Sequence, residues 1–319
     1  MTTFKEIRGT AIQSVSSDPT NPEVGQIWYN NTIGVLKGYR SIGGAWASGG
    51  NLTTARSYAA PAGIQTAGLA AGGIATTAVV NTEEYDGSTW SPGGNMGTAR
   101  YEFVGGAGTQ TAALAFGGFT TVNVNVTEEY DGTSWGPGGN MGTARRGGGG
   151  AGTQTAALGF GGFTTTFSNS TEEYDGTSWG PGGNLATARF GLAGAGTQTA
   201  GLGFGGTASP VNTTATEEYN GTSWTSGGNL NTARSGLGGC GLQTAAIAFG
   251  GVLGPPTNYS AATELYDGTS WISSTPMATG RRDLTAAGTQ TAALGAGGGT
   301  AATEEWTDPT LAVQKITTS

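Results

Sequence analysis

The segment TEEYDGSTW at 82–90 returns as TEEYDGTSW at 127–135 and 171–179, as TEEYNGTSW at 216–224, as TELYDGTSW at 263–271, and last as TEEWTD at 303–308. From Tyr85 through Tyr130, Tyr174, Tyr219 and Tyr266 to Trp306 the intervals are 45, 44, 45, 47 and 40 residues. An apolar run recurs in phase: GIQTAGLAAGG at 63–73, GTQTAALAFGG at 108–118, and relatives at 152–162, 196–206, 241–251 and 288–298. Before each run stands an arginine, at Arg56, Arg100, Arg145, Arg189, Arg234 and Arg281. Periods of this length belong to solenoids, propellers and arrays, and the content of one unit chooses among them.

Each apolar run is about eight residues long and closed by glycine on both sides, which is shorter than a typical helix and reads as a strand buried on both faces. TEEYDGTSW reads as a hairpin, Asp-Gly turning the chain between a strand through the Tyr and a strand opening at the Trp. One unit therefore holds four short strands: after the Arg, through the apolar run, through TEEY, and at Trp90, Trp135, Trp179, Trp224 or Trp271. A four-stranded sheet of this length repeated around an axis is a propeller blade.

Composition narrows the chemistry. The 62 glycines among 319 residues suggest low complexity, but 28 aromatic residues and a charged fraction of only 11% argue for a folded chain. There is no histidine, which removes Ser-His-Asp and Cys-His catalysis and the copper centres of propeller oxidases. The single cysteine, Cys240, makes neither an intrachain disulfide nor a zinc site and reads as a small core residue. A net charge of -8 argues against nucleic acid as a partner. The chain shows no secretion signal and no apolar stretch approaching the roughly 20 residues of a membrane span.

The order Met96, Arg100, Gly117-Gly118, Glu128, Tyr130, Asp131, Trp135 resembles the kelch repeat, and the other units keep most of it. Leu52, Leu185 and Leu230 stand in the Met place, and Asn220 in the Asp place. The resemblance implies an all-β, kelch-like β-propeller with Tyr and Trp filling the wedge between blades. The repeated Arg is read as an internal tie to a Glu of TEEY. GGAWASGGNL at 43–52 matches the fourth-strand part of a unit, and the last unit ends after TEEWTD without one. Six blades are therefore expected, the N-terminal strand closing the ring. The alternative is a seventh, composite blade built from 27–40 and the tail.

Residues 1–42 carry a second likeness: SSDPTNPEVGQIWYNNTIGVLKG is similar to N-terminal segments of bacteriophage tail-fibre and other virion proteins, particularly marine ones. All three lysines, Lys5, Lys37 and Lys315, lie outside the repeats. The expected organisation is an attachment segment at 1–42, a propeller at 43–308 and a tail at 309–319 that supplies a closing strand. The resemblance implies location in a virion, made in the host cytoplasm, with other virion proteins and further copies of the chain as partners.

Catalytic residues are not expected. The Glu-Glu pairs, as at Glu83/Glu84 and Glu128/Glu129, are paired carboxylates, but neighbours on a strand point to opposite faces. Asp86, Asp131 and Asp175 have the oxygen chemistry of a calcium site, yet the Asp-Gly turns already account for them. The run Gly147 to Gly150 lacks the Lys-Ser/Thr ending of a phosphate loop. The segments after each double glycine differ in every unit, and binding residues often sit on loops held by a rigid frame. Phe119, Asn123, Asn125, Phe163, Phe167, Asn169, Asn258 and Tyr259 combine stacking and hydrogen bonding in a way that suits sugars; neutral drift of tolerant loops would give the same variety. The expectation is a non-enzymatic phage structural protein, of tail-fibre type, without cofactor or metal, that binds a host surface glycan or protein. A decoration protein of head or tail is the first alternative, and a carbohydrate-active propeller enzyme the second.

Overall fold

The computed structural model describes residues 12–17, 27–40, 44–254, 258–308 and 312–315; the rest of the expected attachment segment and tail lies outside the described residues. The described chain is all strand, with no helix long and apolar enough to cross a membrane. It divides into two compact units, 45–307 and the two ends 1–44 and 308–319 taken together.

The larger unit is a β-propeller of six four-stranded sheets. The first blade runs outward from Ala60–Ile64 through Ala67–Ala71 and Thr82–Tyr85 to Trp90–Pro92, every pair antiparallel. Blades two to five repeat this order within 105–137, 149–181, 193–226 and 238–274. The sixth takes Leu284–Gly288, Ala292–Gly297 and Thr303–Thr307 from the last unit and Ala45–Ser48 from the beginning. In that sheet Trp46 stands opposite Trp306 in register, as Trp90 stands opposite Tyr85 in the first. The innermost strands neighbour one another in sequence, and the sixth lies against the first.

Two chemical layers hold the ring, one inside each blade and one between blades. Within a blade the arginine pairs with the first Glu of TEEY: Arg100–Glu128 and Arg145–Glu172 at 3.3 Å, Arg189–Glu217 at 2.9 Å, Arg234–Glu264 at 3.0 Å, Arg281–Glu304 at 2.7 Å, and Arg56–Glu83. Between blades, the second Glu accepts from the next tyrosine: Tyr130 to Glu84, Tyr174 to Glu129, Tyr219 to Glu173 and Tyr266 to Glu218 at 2.5 Å, and Tyr85 to Glu305 across the seam. Leu265 replaces this Glu once, and the residue that would donate to it is Trp306, which packs beside Leu265 and donates instead to Gln290 O at 2.9 Å. Trp90, Trp135, Trp179, Trp224, Trp271 and Trp46 each donate to a threonine hydroxyl of the preceding blade at 2.8 to 3.0 Å.

Glycine is required on the inner strands because neighbouring backbones touch. A Cβ at Gly106 would lie 2.1 Å from Pro61 O, and one at Gly194 2.3 Å from Gly150 O. Cys240 occupies the place that Ala107, Ala151 and Ala195 hold in other blades; burial pushes its thiol up to about 12, so it stays protonated and inert.

The smaller unit is one sheet in the order Gln13–Val15, Ile27–Asn30, Val35–Arg40, Ala312–Lys315. Its first pair is parallel, unlike any pair in a blade. The tail strand pairs with Val35–Arg40 and not with a blade.

Candidate functional site

The six inner strands line an axial cavity of about 300 Å³. At one end the chain enters each inner strand through the residue two places after the repeated Arg: Tyr58, Glu102, Gly147, Gly191, Gly236 and Asp283. All six have positive φ, between 48° and 65°. Their backbones are bonded around the rim, Gly147 N to Glu102 O, Gly191 N to Gly147 O, Gly236 N to Gly191 O, Asp283 N to Gly236 O and Tyr58 N to Asp283 O, at 2.7 to 2.9 Å.

Three of these positions carry the only non-glycine residues with positive φ among the described residues. The left-handed region costs a side chain on the order of 1 kcal/mol or more, and such strain collects at functional sites. Asp283, Tyr58 and Glu102 are consecutive around the rim, so one half presents polar side chains and the other half bare backbone. The glycines make room: a Cβ at Gly236 would lie 2.4 Å from Asp283 Oδ1, and one at Gly147 2.2 Å from the Phe190 ring.

The side chains of this arc are coupled. Tyr58 neighbours the Asp283 carboxylate, and burial with that neighbouring charge pushes the Tyr58 hydroxyl far up. Asp283 is raised to about 7, chiefly by burial, against the pull of the Tyr58 hydrogen bond and the Arg282 charge. Arg282 Nε lies 3.1 Å from Asp283 Oδ2. Burial also raises Glu102, whose Oε2 is 3.1 Å from Arg146 Nε. A carboxyl group titrating near 7 can give or take a proton at neutral pH. A second carboxyl, that of Glu102, lines the same cavity.

The variable-loop residues divide. Phe119 and Phe163 reach the rim indirectly, their ring centroids 4.2 and 5.3 Å from the Arg146 guanidinium. Phe163 and Phe167 form an aromatic group with Phe190, at centroid distances of 6.0 to 6.2 Å. Tyr259 lies under Arg282 at 5.5 Å. The asparagines serve the frame: Asn125 and Asn169 donate to Met141 O and Leu185 O at 2.8 and 3.1 Å, and Asn123 to Thr164 O at 2.6 Å. Asn258 accepts at its backbone carbonyl from Leu253 N.

The carboxylates weighed from the sequence are occupied elsewhere. The Glu-Glu pairs belong to the Arg and Tyr ties. Asp131 accepts from the Thr133 and Ser134 amides at 2.8 Å, which hold its carboxyl below the usual range, and Asp86 and Asp175 do the same in their own blades. Among the described residues no three acidic, Cys or His side chains converge as metal ligands.

Sequence reasoning missed Tyr58, Glu102, Asp283, Arg146, Phe190 and Arg282. The signal was present: the column two places after the Arg is glycine in three units and Tyr, Glu and Asp in the others. It is the one rim position where the repeat breaks toward ionisable groups.

No protein-family description matches the chain, and no curated protein does. Among solved structures the chain is similar to YjhT, with a TM-score of 0.68 and 15% identity over 83% of this chain and 99% of that one. At this identity the likeness establishes the fold, a β-propeller. The expectation that the chain is not an enzyme is corrected here, since it rested on the repeated carboxylates alone and the rim holds others. The physical reason lies in the rim, where acid-base groups gather that a search of the repeated carboxylates did not find.

Proposed function

We propose that this propeller is carbohydrate-active, holding a glycan at the Asp283–Tyr58–Glu102 rim. The observation that carries the reading is the coupled arc of ionisable side chains at strained positions around one end of the axial cavity, with Asp283 titrating near 7. Asp283 in its acid form donates its proton to the glycosidic oxygen. Glu102, paired with Arg146, takes a proton from the water that adds to the anomeric carbon, so the bond is hydrolysed with protons balanced. Phe190 gives a sugar ring an apolar face to lie against. The likeness to YjhT supports the reading at the level of the scaffold.

The test is product release from a panel of purified bacterial surface polysaccharides. Release by the native chain, lost in Asp283→Asn and in Glu102→Gln while both variants stay folded, supports the reading. Release unchanged in both variants, or neither release nor binding on any polysaccharide, rejects it.

The reading extends to where the protein acts. Residues 1–42, through their likeness to phage N-terminal segments, attach the chain to other proteins of a phage particle, and the propeller meets a host surface glycan. A chain lacking residues 1–42 should fold its propeller and fail to enter particles; normal incorporation rejects this attachment.

A further inference from the structure

Beside the axial cavity lies a second one of about 230 Å³, and the two meet at Tyr58, Arg282 and Asp283, which line both. The loops explain it. Between the double glycine and the next TEE or TEL there are eight residues in the first three units, nine in the fourth and eleven in the fifth, but only Gly299 to Ala302 in the sixth. Elsewhere one loop leans on the next: Asn123 Nδ2 reaches Thr164 O at 2.6 Å, and Asn212 Nδ2 reaches Val252 O at 2.7 Å. Over the sixth blade the loop is only four residues long, and among the described residues the gap is lined by Tyr259 on one side, Ile74 and Ala75 on the other, and Gly298 and Gly299 below.

Each cavity therefore has an aromatic ring, Phe190 in the axial one and Tyr259, 41% exposed, in the side one. Arg282 is 43% exposed, and its Nη groups have no hydrogen-bond partner among the described residues, so donors stand ready at the wall. Apolar rings with a few converging polar groups are what sugar-sized sites present.

We propose that the two cavities are consecutive subsites for adjoining units of one polysaccharide chain, with Asp283 under the linkage between them. The inference rests on the carbohydrate reading above and deepens it. A reacting group with room on only one side serves the end of a chain; one with room on both sides serves an internal link. The substrate class is then a polymer attacked within its length, and the sixth unit's short loop is what admits it.

The test uses the full chain and tagged glucan, mannan, galactan and xylan oligosaccharides of one to six units. Binding should strengthen by about tenfold or more from one unit to two or three. Ala75→Trp, at an exposed loop position, fills the side cavity and should remove most of that gain while leaving single-unit binding within about twofold. Tyr259→Ala should act in the same direction, and Phe190→Ala should weaken every length. Equal affinity for one unit and for longer chains, or an Ala75→Trp variant indistinguishable from the native chain at all lengths, overturns the two-subsite inference alone. If no sugar of any length binds, the carbohydrate reading falls and this inference with it.

Discussion

Replacing Arg189 by Met isolates the interaction on which the six-fold frame most depends. Its side chain is fully buried and Glu217 is 5% exposed. The guanidinium donates to Glu217 Oε1 at 2.9 Å, to Gly205 O at 2.9 Å and to Ala215 O at 2.8 Å. Met fills much of the volume but leaves Glu217 as a buried carboxylate whose remaining partner is the Ala186 amide at 2.7 Å. Stranding one member of a buried pair costs about 3–5 kcal/mol, and the donor lost to Gly205 O keeps the value toward the upper half of that range, while Ala215 O retains the Gly205 amide at 3.0 Å. Glu217→Gln on top of Arg189→Met removes the stranded charge and keeps the acceptor for Ala186, so about 2 kcal/mol should return. Urea unfolding followed by tryptophan fluorescence reads both, since eight tryptophans report and the slope of the transition should not change. The control is Arg282→Met, whose pair with Asp283 is 43% exposed on the arginine side and should contribute no more than about 1 kcal/mol. A cost below about 1 kcal/mol for Arg189→Met, or no recovery in the double variant, would refute the view that these pairs bind each blade together.

Asp283 gives a pH signature: its folded pKa, about 7, is raised, so its contribution is complete below the ordinary carboxylate value and is lost as pH climbs through 7. Asp283→Asn should therefore gain stability relative to the native chain between pH 5 and 8, by up to about 4 kcal/mol, and thermal melts across that range would show it. Glu102→Gly removes a side chain from φ 48° and a carboxyl that burial disfavours; it should raise the melting temperature while abolishing activity, a rise of a few degrees matching about 1 kcal/mol. Leu265→Glu places a carboxylate against Trp306, which has no hydroxyl to donate, and should cost about 2 kcal/mol; adding Trp306→Tyr should restore most of it, as chemical denaturation of the single and double variants would reveal.

The last of these shows how far the sequence could be read. Substitution of Glu by Leu265 and of Tyr by Trp306 look like two independent departures 41 residues apart. Only in the ring does one become the partner of the other, because the Tyr of each blade reaches back to the second Glu of the blade before it. The TEEY and Trp columns were legible as sheet chemistry, since six-fold repetition says that every copy does the same thing. The asparagines of the variable loops were not legible, because a side-chain amide suits a sugar and a neighbouring carbonyl equally well. The structure gives Asn123, Asn125 and Asn169 to carbonyls.

The sequence by itself determined the blade. A period of about 45 residues, four short strands per unit and an unmatched fourth strand at the beginning leave a propeller sharing one sheet between its two ends as the economical way to bury every apolar run. Tertiary structure alone decided the site. Tyr58, Glu102 and Asp283 are spread over 225 positions of chain and acquire a common cavity only when the sixth blade lies against the first. Their left-handed backbone is invisible in a residue name, and their coupling through Arg282 and shared burial exists only across that seam. The gap left by a short loop likewise becomes a cavity only when the fifth and first units stand on either side of it.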